Sequence, residues 1–137
     1  MRPFDLQCID HVVLRVADTA RSVRFYRDVL GCTIARERPD LGLTHLRAGA
    51  SMIDLVDIAG KLGARGGEAA GDTRRNVDHI ALRIEPFDDV AIRAHLAAHG
   101  VDVLEPTSDN FGAEGDGPSL YLHDPDGNTI ELKGPAR

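Results

Sequence analysis

The chain has 137 residues, a formal net charge of −6 and two cysteines. That length suits one domain or two very small modules, and it can bury a core without a disulfide or structural metal. Lys and Arg are scattered, no apolar run approaches a membrane span, the N-terminus lacks the apolar core of a signal peptide and two cysteines make no disulfide framework, so the expectation is a cytoplasmic protein that binds neither nucleic acid nor membrane.

The first strand is expected over Ile9 to Val16. Its residues alternate, with Val12, Leu14 and Val16 on one face and His11, Val13 and Arg15 on the other. Cys8 lies on the side of Val12 and Leu14, so burial is expected for it. Asp18 is placed to cap a helix whose stripe carries Val23, Tyr26 and Leu30, and Gly31 sits where a helix-ending glycine belongs. Strands are expected over Cys32–Arg36, Thr44–Ala48 and Met52–Ile58, the last two joined by a hairpin at Gly49-Ala50-Ser51. Residues 59–76 are rich in glycine and read as a flexible connection.

The plan then repeats. Asp78-His79-Ile80-Ala81-Leu82-Arg83-Ile84 returns Asp10-His11-Val12-Val13-Leu14-Arg15-Val16 after 68 residues. A strand is expected over 77–84, then a helix capped by Asp88 and ending at His99, with Gly100 as the stop. Phe87 is placed to staple against Ile92. Further strands are expected over Val101–Leu104, Ser119–His123 and Thr129–Leu132, with a turn at Asp124-Pro125-Asp126-Gly127. The Gly-rich stretch from Asn110 to Pro118 reads as a disordered loop or a functional lid. The expected fold class is therefore α+β. A single domain, 1–137, is made of a βαβββ module over 5–58, the connection 59–76 and a second βαβββ module over 77–133.

Each module places an acid between aliphatics on its last strand: Ile53-Asp54-Leu55 and Ile130-Glu131-Leu132. The alternation sends the aliphatics to one face and the acid to the other. If the polar faces converge, His11, Asp54, His79 and Glu131 form one set. Neutral imidazoles with carboxylates suit Ni, Mn, Zn, Co or Fe(II), and two histidines with one carboxylate leave open positions for catalysis. Singly, each of these residues reads as structural; the matched positions favour ligation. Arg15 and Arg83 match as well, so His–carboxylate–Arg ion pairing is the competing reading. Arg15 is a candidate for a substrate carboxylate or phosphate, or for a salt bridge. Tyr121, sharing parity with Ser119, either steadies an oxyanion or is an ordinary strand residue. His45 faces the same cavity or solvent, His95 and His99 lie on an exposed helix face, and His123 and Cys32 read as structural.

Several segments carry a resemblance: Asp10-His11-Val12, Phe25-Tyr26-Arg27-Asp28-Val29-Leu30-Gly31, Asp78-His79-Ile80-Ala81-Leu82 and the run from Asp124 to Leu132. The chain resembles the vicinal oxygen chelate superfamily of glyoxalase I, fosfomycin-resistance thiol transferases, extradiol dioxygenases and bleomycin-resistance proteins. The resemblance implies paired βαβββ modules that form a curved mixed sheet around a cleft holding a divalent metal. It implies His11, His79 and Glu131 as ligands, with Asp54 at the place of a fourth ligand in glyoxalase I. Arg15 matches a glutathione-contacting arginine of glyoxalase I, but Ile58 stands where a second glutathione contact, an Asn, is expected. Tyr121 matches a substrate-contacting tyrosine of the fosfomycin enzymes, although Val13 replaces their threonine. The implied protein is a homodimeric, metal-dependent lyase or isomerase of glyoxalase type, with Glu131 or Asp54 moving a proton on a small oxygen-rich substrate. The alternatives are a thiol transferase with a thiol cosubstrate, an antibiotic-resistance enzyme, a dioxygenase and a non-catalytic binding protein.

Overall fold

The computed structural model describes residues 2–73 and 75–137. The chain divides into two compact units, Met1–Ala69 and Ala70–Arg137. The first contains β1 (His11–Val16), α1 (Thr19–Arg24) continued by a π-helical turn over Phe25–Val29, β2 (Thr33–Arg38), β3 (Leu43–Ala48) and β4 (Ser51–Asp57). The second contains β5 (Ile80–Arg83), α2 (Asp89–Ala98), β6 (Ser108–Gly112), β7 (Gly115–His123) and β8 (Thr129–Lys133).

Each unit builds one four-stranded sheet of the same topology, β1-β4-β3-β2 in the first and β5-β8-β7-β6 in the second. The first strand of each unit pairs in parallel with the last, and the remaining pairs are antiparallel. The α+β class and the βαβββ plan follow the alternation in the sequence. Core residues come from one strand face: Val16, Leu46, Ile53 and Leu55 in the first unit, and Leu120, Leu122, Ile130 and Leu132 in the second. The helices begin alike. Asp18 accepts from the Arg21 amide and Asp88 from the Ala91 amide, each at 3.0 Å, a cap contributing about 1 kcal/mol. They also end alike, on Gly31 and Gly100 at φ +82° and +70°, where a Cβ would be strained.

Four expectations are corrected. Val101–Leu104 forms no strand; Leu104 makes one backbone bond to Tyr121 at 2.9 Å, and Pro106, which lacks an N–H, interrupts any ladder. The strand lies instead at β6, so part of the Gly-rich stretch 110–118 is paired sheet rather than a disordered loop or lid. Cys8 is exposed, because the segment before β1 runs outside the sheet, whereas Cys32 is buried. The connection 59–76 is anchored by Arg15 on one side and by Arg75, which bonds Asn128 and the Asp126 carbonyl, on the other. Among the described residues, no helix is long and apolar enough to cross a membrane.

Candidate functional site

In the first unit, His11 opens β1, and its Nδ1 lies 2.7 Å from the Asp10 carboxylate. Its Nε2 is turned toward Asp54, 4.0 Å from Oδ2. Asp54 comes to this place because β4 runs beside β1 with Val13 opposite Asp54. The second unit repeats the arrangement. His79 Nδ1 lies 2.7 Å from the Asp78 carboxylate, and Nε2 lies 3.6 Å from Glu131 Oε1. Here Ala81 on β5 stands opposite Glu131 on β8. Both acids are buried, and both histidines remain partly exposed. The Asp10 carboxylate bonded to Nδ1 holds the His11 imidazole above its ordinary pKa, with partial desolvation opposing it and Asp54 adding to the rise.

The cross-strand neighbours of the two acids differ. On β3, His45 stands opposite Asp54, and its Nδ1 approaches Asp54 Oδ1 to 2.9 Å. The separation is that of an ion pair, but the direction is too poor for a hydrogen bond, so buried Oδ1 is left without one. On β7, Tyr121 stands opposite Glu131 and donates its hydroxyl to Oε1 at 2.5 Å, while Ser119 donates to Oε2 at 3.2 Å. Asn110 on β6 donates to the Tyr121 hydroxyl at 3.1 Å. The Glu131 carboxylate that accepts the Tyr121 proton, helped by burial, pushes the phenol up to about 12.

The structure thus joins His11 with Asp54 and His79 with Glu131. Among the described residues, no three His, Cys, Asp or Glu side chains are grouped closely enough to hold a metal ion. Unit by unit, the donor chemistry still fits a divalent cation. In each unit the aspartate before the histidine engages Nδ1 and leaves Nε2 as the outward donor, an outer-shell pattern that orients metal-binding imidazoles. The orphaned Asp54 Oδ1 is a further oxygen in need of a donor or cation.

Arg15 is placed differently from the expected substrate contact. Its Nε donates to the Gly63 carbonyl at 2.9 Å, one Nη to the Glu68 carbonyl at 3.1 Å and the other to the Gly67 carbonyl. The guanidinium is therefore spent on a loop of its own unit and forms no salt bridge with the site acids. Its repeat, Arg83, is engaged by Glu114, the Ile84 carbonyl and Glu85. His–carboxylate–Arg pairing, the competing reading of the motif, is accordingly absent among the described residues. His95 is exposed on α2, His99 is exposed at its C-cap and His123 is exposed. Ser119, Asn110 and the Nδ1 partners Asp10 and Asp78 were not singled out by the sequence. Repetition of the aspartate before each histidine was the signal for the last two.

A family model described as the Glyoxalase/Bleomycin resistance protein/Dioxygenase superfamily matches residues 8–132. The chain is 31% identical to Virulence protein STM3117 of Salmonella typhimurium over 90% of its own length and 81% of that protein. Its fold is similar to a structure from the mobile metagenome of V. Pseudocholerae, with a TM-score of 0.78, 26% identity and 98% of each chain covered. It also shares its fold with Fosfomycin Resistance Protein FosX from Mesorhizobium loti, with a TM-score of 0.65, 18% identity and coverage of 95% and 93%.

Proposed function

Because the chain belongs to the Glyoxalase/Bleomycin resistance protein/Dioxygenase superfamily, we propose that it is a divalent-metal-dependent enzyme acting on a small, oxygen-rich substrate by proton transfer, as a lyase or isomerase does. The observation that carries this reading is the repeated geometry of the two histidines. Each is held at Nδ1 by its preceding aspartate at 2.7 Å and presents Nε2 toward a buried acid. A lone structural histidine needs no such duplicate.

The donors in this reading are His11, His79 and Glu131. A bound divalent ion would supply Lewis acidity to two adjacent substrate oxygens. The protein's own residues do the rest. Asp10 and Asp78 hold the imidazoles in the tautomer that leaves Nε2 free. Ser119 and Tyr121 donate to separate oxygens of Glu131 and orient its carboxylate. Asp54, faced by His45 across the strand pair, is the acid left to move a proton, a role worth about 10²–10⁴ in rate. Arg15 takes no part in this reading, because its guanidinium ties down the loop at 63–68.

The experiment is a thermal-shift and direct-binding series with Mn, Ni, Zn, Co and Fe(II) on the wild type and Glu131→Gln. Wild type is expected to gain stability with at least one ion, and the variant to lose that gain while keeping its fold. An unchanged response in the variant would refute the donor set. Turnover is then tested on the hemithioacetal of methylglyoxal and glutathione.

A second reading, a thiol transferase that modifies an oxyanionic antibiotic, draws on the Tyr121–Asn110–Ser108 side chains beside Glu131. Thiol-dependent modification of fosfomycin, without hemithioacetal turnover, would select it.

A further inference from the structure

Helix α2 ends on two histidines that the proposed function leaves unused. His95 lies in its last turn and His99 is its C-cap. The His99 amide donates to the His95 carbonyl at 3.3 Å. The helical turn is thus kept through the cap, and the two side chains leave the same face one turn apart. Leu96 beside them fills the core, whereas both histidines are exposed. Their ring centres are 4.7 Å apart and the rings are tilted by 57°, so they do not stack flat.

That spacing is the one a shared ion requires. With a metal–nitrogen bond of about 2.0–2.1 Å, a ring centre lies about 3.2 Å from the ion, and two imidazoles at about 90–110° around it stand about 4.5–5.2 Å apart. The backbone already holds the rings at this range. Exposed side chains rotate freely enough to aim one nitrogen of each at the ion. Two histidines four apart on a helix are a recurring pair of zinc donors. The helix end adds to this, because its partial negative charge favours a cation beside the last turn. The acids that open α2 are spent elsewhere: Asp88 caps the Ala91 amide and Asp89 holds Arg93. Among the described residues no third His, Cys, Asp or Glu side chain joins the pair, so water fills the remaining positions.

We propose that His95 and His99 form an auxiliary site for a divalent transition-metal ion that imidazole suits, such as Zn(II) or Cu(II). The site has two protein donors, both from one helix of the second unit. It goes beyond the proposed function and does not rest on His11, His79 or Glu131.

The test titrates Zn(II) into the whole protein and follows the imidazole ¹H–¹⁵N signals of His95 and His99, assigned with His95→Gln and His99→Gln. Both rings are expected to shift along one saturable curve. His99→Gln should weaken the His95 response at least about tenfold, and His95→Gln the His99 response, because the second donor no longer binds within the same molecule. Both positions are exposed, so the variants should keep the wild-type fold. No saturable shift of either ring, separate midpoints for the two rings, or an undiminished His95 response in His99→Gln overturns the site. Glu131→Gln separates the two proposals: both ring curves should be unchanged in it, whatever happens to the stability gained with metal. Ring curves that vanish in Glu131→Gln would overturn the pair as a site of its own. The pair therefore stands if the donor set of the proposed function fails, and that donor set stands if the rings do not respond.

Discussion

His45 and Tyr121 occupy the same position in the two units: each is the cross-strand partner of the acid on its unit's last strand, His45 of Asp54 and Tyr121 of Glu131. The duplication therefore extends beyond the His-carboxylate pair to a third strand, where one copy carries an imidazole and the other a phenol. The phenol satisfies Glu131, while the imidazole leaves Asp54 Oδ1 without a hydrogen bond. Two carboxylates in matching frames are thus given unequal environments, the basis on which the proposed function divides a donor role from a proton-moving role.

His45→Gln is expected to destabilise the protein by about 1–3 kcal/mol, because Asp54 stays buried and loses the ring nitrogen 2.9 Å from its Oδ1. Urea denaturation measures the change. A cycle with Asp54→Asn should show coupling between the two sites, and simple additivity would argue against the pair.

Asp10→Asn and Asp78→Asn should each weaken divalent-ion binding by about 10–100-fold while leaving the fold unchanged. Calorimetric titration with Mn or Co reads the effect. Equal affinity in all three proteins would mean that the Nδ1 contacts at 2.7 Å do not orient ligands.

Arg15→Ala removes three bonds to the 63–68 loop. The expected cost is about 1–2 kcal/mol, with faster amide exchange confined to that loop and faster tryptic cleavage after Arg65. Uniform exchange across the unit, or none, would contradict a local tie.

The Asp89 carboxyl accepts from Thr107 and pairs with Arg93 at 3.0 Å, and these partners, the Thr107 bond first, hold its pKa below the ordinary 3.8. A carboxylate whose folded pKa is depressed contributes stability above its unfolded value and loses it as pH falls through the folded one. The gap in Tm between wild type and Asp89→Asn is therefore expected to be full at pH 6 and to close below about pH 4. Thermal melts across that range check it, and a gap that widens in acid would reverse the sign.

The two cysteines should separate by reactivity. Cys8 is exposed, whereas Cys32 is buried and burial pushes its thiol up. An aromatic disulfide reagent at pH 8 should modify one thiol quickly in the native protein and two after denaturation. Rapid reaction of both would place Cys32 nearer solvent than the structure does.

Much of the scaffold was legible in the chain. Strand alternation around His11 and Glu131, the caps at Asp18 and Asp88 and the stops at Gly31 and Gly100 depend on neighbours a few residues away. Strand β6 was hidden because four of the five residues in Ser108-Asp109-Asn110-Phe111-Gly112 are turn formers, and only pairing with β7 makes it extended. Arg15 was misread for a related reason: strand parity gives the face of a side chain, not the loop that packs over it.

What the sequence by itself determined is the duplication: two βαβββ units, each with a histidine on its first strand and an acid on its last, and the family that pattern marks. Tertiary structure alone decided which side chain faces each acid, where the arginines spend their donors and why Asp54 Oδ1 is buried without a hydrogen bond. Periodicity of two residues along a strand is a local property that sequence carries. The register between strands and the folding of a hairpin over them join residues far apart in the chain, and those contacts set the chemistry of the site.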